Sequence, residues 1–392
     1  MAASFPRTWR AALATTFTLT LAGPLAAEGP VCGDREIRLA SGCASFKAAA
    51  EGLRTLVRDE VAAKGLNAAI LRVSYGGAPL ITEAWGQSIA GVAAAPDMHF
   101  RNGSVAIAYM TTVLLQLQEA GVLSIDDPLS TWFPDNPRAG EITLAMLANN
   151  TSGYGDYVDL AVLPLLKDVF RRWTPQELID IGLAKPMACD PGACFAYAHT
   201  NYVILGEVMA RASGRSLAEL IHEGVLAPLG LRNTRSDTTA AIPSPVMHAY
   251  SSERGLVEDS TFWSPSWTLA HGAIMTTDIY DMEVSAVAIG TGSLLSRASY
   301  DAMLAPDTVG LGRLNPALYY GLGVGVNNSW VLQTPSFYGF AGAMAYQPAN
   351  RIAIALATAD GPTTPDERVA ENLLFSLGAY LAPDLPPRPF GP

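Results

Sequence analysis

The stretch FRNGSVAIAYMTTVLLQLQEAGVLSIDDPLSTWFP, residues 100–134, decides how this chain is read. Gly103 and Ser104 precede an apolar run with helical periodicity, which puts the Ser104 hydroxyl at a helix N-terminus. There the free backbone N–H groups and the helix dipole favour developing negative charge. Ile107, three residues on, lies on the same helix face one turn along. An amine at that place would activate the serine as a nucleophile. Isoleucine can neither accept nor donate a proton, so function depends on what else stands near Ser104.

Outward from this helix, the N-terminal part reads as a helix and then a hairpin. Apolar residues recur at helical spacing from Phe46 to Lys64, and Gly65 supplies a stop. AAILRVSYGGAPLITEAWG, residues 68–86, reads as two apolar strands around the Gly76-Gly77 turn. The middle, from Ser104 to about Leu231, is mostly helical, with helix ends at Gly214, Gly224 and Gly230. Beyond Ala317, LYYGLGVGVN, SFYGFAGAMAYQP and RIAIALATA are strands of an antiparallel meander, linked by NNS and PAN. Thr364-Pro365, with Asp366 and Glu367 in the first turn, starts an amphipathic helix running to Leu381. Strands at both ends of the chain imply one shared sheet. The expected fold is α+β: an antiparallel sheet from N- and C-terminal strands, flanked by helices, with a mainly helical region of about residues 104–300 inserted.

The first 27 residues carry Arg7 and Arg10, an apolar run from Ala11 to Leu21, and then small residues up to Ala27. That order is the outline of a secretory signal peptide, with a single membrane anchor as the alternative. Residues 28–385 are then one domain and 386–392 a proline-rich tail. Later stretches are too short and polar to insert in a membrane once the leader is removed, so the exported protein is expected to be periplasmic or secreted. Cys32, Cys43, Cys189 and Cys194 read as two local disulfides in an exported chain. Reduced thiols or a metal site remain alternatives, though C-x-x-C spacing is missing. The formal charge of −11, which falls to about −13 without the two leader arginines, argues against nucleic acid as a partner.

Four segments carry a resemblance to the serine β-lactamase family in its broad sense, which takes in class C β-lactamases, D-alanyl-D-alanine carboxypeptidases and related esterases. They are the stretch after Phe100, ITLAMLANNTSGYGDY, FAYAHTNYVILGEVMARASGRSLAELI followed by LAPLGLRNT, and FYGFAGAMAYQP. The resemblance implies a β-lactamase/transpeptidase-like fold, Ser104 as nucleophile for acyl transfer, a small-molecule or cell-wall peptide ligand, and no cofactor or metal. It also implies three motif elements. S-x-x-K stands here as Ser104 with Ile107 in place of the lysine. Y-x-N stands as Tyr197-Ala198-His199, and the K-T-G or H-x-G strand triplet as Phe340-Ala341-Gly342. Backbone N–H groups of Ser104 and Ala343 are the expected oxyanion hole.

Each departure removes a chemical service. Without the lysine nothing eases deprotonation of Ser104, and a tyrosine alone is a poor base near neutral pH. Phe340 replaces a polar contact, so a ligand with a free carboxylate should bind less well. His199 either pairs with Ser104, with Tyr197 as orienter, or bonds a neighbouring carbonyl in a groove that no longer turns over. Two functions follow: a serine hydrolase of altered or reduced activity, or a non-catalytic groove for a cell-wall fragment, peptide or partner protein. His99, His222, His248 and His271 lack metal-ligand spacing, and Trp263, Trp267, Tyr319 and Tyr320 either line a groove or pack a core.

Overall fold

Strand Ile352–Ala359 explains why the central sheet has two unlike faces. With a side-chain period of two, Ile352, Ile354 and Leu356 point to one core while Ala353, Ala355, Ala357 and Ala359 point to the other. The large face is covered by helices Phe46–Lys64 and Val369–Leu381, which bring Leu53, Val57 and Leu374 against it. Fully burying a side chain such as Leu356 contributes about 1.5–3 kcal/mol. The alanine face lets helix Ile279–Thr291 approach closely. At Gly290 of that helix an added Cβ would stand 2.3 Å from the Tyr346 Cβ.

The computed structural model describes residues 32–33, 35–158, 164–365 and 368–389. The signal peptide expected over residues 1–27 lies outside these, as do Asp366 and Glu367. The main sheet runs in the order Leu318–Tyr320, Gly325–Asn327, Trp330–Gln333, Phe340–Gln347, Ile352–Ala359, Ala68–Tyr75, Ala78–Ile89, Val92–Ala93. Its paired neighbours are antiparallel. The terminal parts of the chain meet where Ile352–Ala359 pairs with Ala68–Tyr75, in register from Ile352–Tyr75 to Ala359–Ala68. Gly76 and Gly77 both have positive φ, as the hairpin turn there requires. No helix of the described residues is long and apolar enough to cross a membrane.

Several boundaries differ from the sequence reading. WVLQ is a strand in its own right, and LYYGLGVGVN splits into two strands. Gly224 does not end a helix but lies inside the π-helical turn His222–Leu226, where a Cβ would stand 2.3 Å from the Gln116 side chain. The C-terminal helix begins at Val369, not at Thr364, whose hydroxyl bonds the Gly65 carbonyl instead. The middle region also holds a small sheet of Phe100–Arg101, Met275–Thr277 and Arg235–Ser236. The end of the chain is not a loose tail as far as it is described. The carbonyls of Leu385, Pro386 and Arg388 accept from Trp330, Asn328 and Asn327. Disulfides join Cys32 to Cys43 and Cys189 to Cys194.

Candidate active site

Helix Val105–Glu119 is buried along most of its length, which fixes its N-terminus rigidly at the boundary between the sheet and the helical region. Ser104 stands at the N-cap position, yet its hydroxyl makes no capping bond to its own helix. That leaves the hydroxyl for the groove beside it. Gly103 before it has φ +49°, and a Cβ there would come within 2.7 Å of Pro335 and 2.9 Å of Phe337. Only glycine lets the chain turn so tightly against the strand side. Ile107 lies one turn on with no exposed surface, packed wholly in the apolar core.

The groove beside Ser104 has a volume of about 480 Å³, and Tyr197, His199, Ala341 and Gly342 help to line it. The structure thus gathers one residue or more from each of the three motif segments around one cavity. Gly342 fits because a Cβ would meet the Leu356 carbonyl oxygen at 2.6 Å. Phe340 and Ala343 lie behind the wall. The Phe340 ring is 3% exposed and packs 6.1 Å from that of Phe337, while the Ala343 side chain is buried on the opposite face of the sheet. Alternation along the strand decides this, because neighbouring side chains point to opposite faces.

Tyr197 packs its ring edge-to-face on His199, with centroids 5.2 Å apart. Burial pushes its phenol well above the ordinary value, nearby Tyr320 adds to this, and the facing Ser104 hydroxyl partly offsets it. The residue as a whole is 36% exposed, and it lines the cavity. Tyr197 is therefore protonated at neutral pH.

His199 opens helix His199–Ser213, whose preceding residue Ala198 offers no side-chain cap. Asp156 supplies one from a distance. Its carboxylate accepts from the His199 backbone N–H at 3.1 Å and from the His199 imidazole at Nδ1, 3.0 Å away. Burial raises the Asp156 carboxyl, but the imidazole and the backbone N–H groups of Val158 and His199 outweigh it and hold the group below its usual range. The same loop is pinned by Lys185, whose Nζ donates to the Asp156 carbonyl at 2.6 Å, and by the Gly153 carbonyl, which accepts from Ala188 near the Cys189–Cys194 disulfide. With Nδ1 bonded to a carboxylate, assignment of the proton to Nδ1 leaves Nε2 as the acceptor of the neutral ring. The His199 imidazole thus bonds Asp156 rather than Ser104.

Asp156 was missed in the sequence. Its signal was present in GYGDY, where a carboxylate follows two glycines in a polar loop, but nothing local ties it to a histidine 43 residues later. The aromatic residues divide. Tyr319 and Tyr320 line the groove, whereas Trp263 and Trp267 pack edge-to-face on Tyr338, each 4.8 Å away. Among the described residues no group of three or more His, Cys, Asp or Glu side chains is arranged to hold a metal ion.

A profile of the Beta-lactamase family matches residues 53–379. The chain is 29% identical over 172 residues to Penicillin-binding protein 4 of Amycolatopsis lactamdurans, covering 42% of this chain and 43% of that one. It is 28% identical over 154 residues to Esterase EstB of Burkholderia gladioli, covering 35% and 38%. Curated relatives are matched over 33% to 57% of their own length. Among solved structures, a D-stereospecific amidohydrolase from Streptomyces sp. superposes with a TM-score of 0.73 at 25% identity, covering 87% of this chain and 99% of that one. The D-amino acid amidase of Ochrobactrum anthropi SV3, complexed with L-phenylalanine amide, superposes at 0.71 with 22% identity, covering 84% and 95%, which shows a common fold.

Proposed function

The chain belongs to the Beta-lactamase family, and from that premise we propose that it is an exported, periplasmic or secreted, serine hydrolase of low activity, with Ser104 as nucleophile toward an uncharged ester or amide. The domain assignment (leader 1–27, domain 28–385, tail 386–392) belongs to the same proposal. The observation that carries it is that Ser104, its hydroxyl unused as a cap, lines the same groove as Tyr197.

The chemistry follows from Tyr197 being held neutral. Such a phenol does not store a proton, but it can exchange one. As Ser104 Oγ bonds to the substrate carbonyl carbon, its proton passes to Tyr197 Oη, and the phenolic proton passes to the leaving oxygen or nitrogen as the carbon–heteroatom bond breaks. Water reverses the relay to release the acid. No phenolate accumulates, which suits a site where burial disfavours charge. Ionised Asp156 fixes the His199 ring, and that ring braces Tyr197 from the side. Backbone N–H groups of Ser104 and Ala343 are the oxyanion donors of this reading. With Ile107 buried and Phe340 turned inward, no cation is provided for a substrate carboxylate at those two positions.

The second reading is a groove that binds without turnover, and the complete burial of Ile107 beside Ser104 favours it. One experiment separates the two. Reaction of the protein with a fluorophosphonate, followed by peptide mapping, should place the adduct on Ser104, and hydrolysis of a small phenyl ester should vanish in Ser104→Ala. No adduct across the pH range, with activity appearing only after Ile107→Lys, His199→Asn and Phe340→His are combined, would establish the binding groove instead.

A further inference from the structure

The disulfide between Cys189 and Cys194, 5 residues apart in sequence, closes a small ring that ends just before Phe195 and Tyr197 of the groove. That ring and the residues around it are docked by their backbone on the loop that carries Asp156. Ala188 donates to the Gly153 carbonyl at 2.8 Å, Gly192 to the Thr151 carbonyl at 2.8 Å and Ala196 to the Asn150 carbonyl at 2.9 Å. The Asn150 side chain then accepts from the Ala198 N–H at 3.1 Å. The approach is close: at Gly153, whose φ is +81°, a Cβ would stand 2.2 Å from the Cys189 carbonyl oxygen. The two loops thus hold one another, and they lead to Tyr197 and to both members of the Asp156–His199 contact. Little apolar burial secures the ring itself. Asp190, Gly192 and Ala193 are exposed and the two cysteines half-buried, while the exposed ion pair of Asp190 with Arg138 adds little. Covalent closure is what keeps the backbone donors of the ring in place.

We propose that the Cys189–Cys194 disulfide is a positioning device for Tyr197 and makes the groove redox-sensitive: its reduction loosens residues 195–199 and slows acylation of Ser104. Only the last effect rests on the hydrolase reading. A small dithiol attacks one sulfur, the Cys189–Cys194 bond breaks, and the second thiol of the reagent closes a disulfide of its own. The protein gains the two electrons and two protons that the reagent loses. The other disulfide has a different place. Cys43 lies in strand Gly42–Ser45, which pairs with Glu36–Leu39, and neither strand nor Cys32 lines the groove. With a separation of 11 residues against 5, it also constrains the unfolded chain more. The two bridges therefore divide their work, Cys32–Cys43 serving stability and Cys189–Cys194 serving the site.

The test uses the full chain carrying Cys32→Ser and Cys43→Ser, so that one disulfide remains. Reduction with dithiothreitol should speed amide hydrogen exchange at Ala196, Ala198 and His199 by about 10-fold or more, leave helix Val105–Glu119 unchanged, and be undone by reoxidation. Fluorophosphonate labelling of Ser104 should slow by about 10-fold or more on reduction, because a displaced Tyr197 no longer meets the reacting oxygen. In the wild-type background, Cys189→Ser combined with Cys194→Ser, which keeps the other bridge, should copy both effects without a reductant. Unchanged exchange at residues 196–199, an equal rise throughout Val105–Glu119, or an unchanged labelling rate in protein that labels when oxidised would each overturn the proposal. If oxidised protein never labelled at Ser104 while exchange at residues 196–199 responded as expected, the hydrolase reading alone would fall.

Discussion

Two kinds of helix start occur in this molecule. At Thr143, Thr174, Ser216 and Ser296 the hydroxyl accepts from the backbone N–H three residues on, satisfying a donor the helix would otherwise leave unpaired. At Ser104 the same side-chain type in the same position makes no such bond. A third arrangement stands opposite it across the groove, where helix His199–Ser213 is capped from another loop by Asp156. A helix start that keeps its hydroxyl for itself is stabilised and chemically quiet. Ser104 is held by the burial of the helix behind it, and the N–H groups of Val105, Ala106 and Ile107 already donate to the carbonyls of Asn102, Gly103 and Ser104, so its hydroxyl is not drawn into a cap.

This contrast can be broken by substitution. Ser104→Ala should reduce esterase activity to background, a loss of about 10³-fold or more, yet change stability by less than about 0.5 kcal/mol, since no cap is lost. A clear drop in melting temperature would show that Ser104 caps after all. Tyr197→Phe removes only the relay hydroxyl and should slow hydrolysis by about 10²-fold or more, with the fold intact by circular dichroism. Unchanged kinetics there would remove Tyr197 from the reaction.

Asp156→Asn should cost about 1–2 kcal/mol through the weakened cap and imidazole contact. Because the Asp156 carboxyl is lower in the folded protein than in the unfolded chain, its contribution is fully present above the unfolded value of about 4 and fades as pH falls through the lower folded value. The stability gap between wild type and variant, measured by urea titration, should therefore be flat from about pH 5 to 7 and close in stronger acid. A gap that grew on acidification would contradict this. Smallest of the four, Thr143→Ala should lose about 1 kcal/mol of stability without altering the rate of Ser104 labelling.

The sheet was readable because its strands advertise themselves by alternation and by turn residues, as in RIAIALATA and around Gly76-Gly77. Helix ends were readable where glycine takes a left-handed conformation, as at Gly65, Gly214 and Gly230. Gly224 misled because there the glycine answers to a neighbour's side chain, not to a helix end. The C-terminal helix was placed early because Thr364-Pro365 looks like a start signal, whereas Thr364 serves a bond to Gly65, nearly 300 residues away in sequence. Phe340 shows the same limit in the site: its identity was plain, but its burial behind the wall depends on what packs against each face of its strand.

What the sequence by itself determined is the set of local choices: which segments are helix or strand, a serine at a helix start with isoleucine one turn on, and cysteines spaced for local bridges. Backbone geometry and hydrophobic period act over a few residues, so they leave marks that a single chain displays. Tertiary structure alone decided that the Ser104 hydroxyl is spared from capping, that Asp156 holds His199, and that Tyr319 and Tyr320 face a cavity while Trp263 and Trp267 face a core. Those outcomes depend on which distant surfaces meet, and a buried polar group takes whatever partner the packing brings to it.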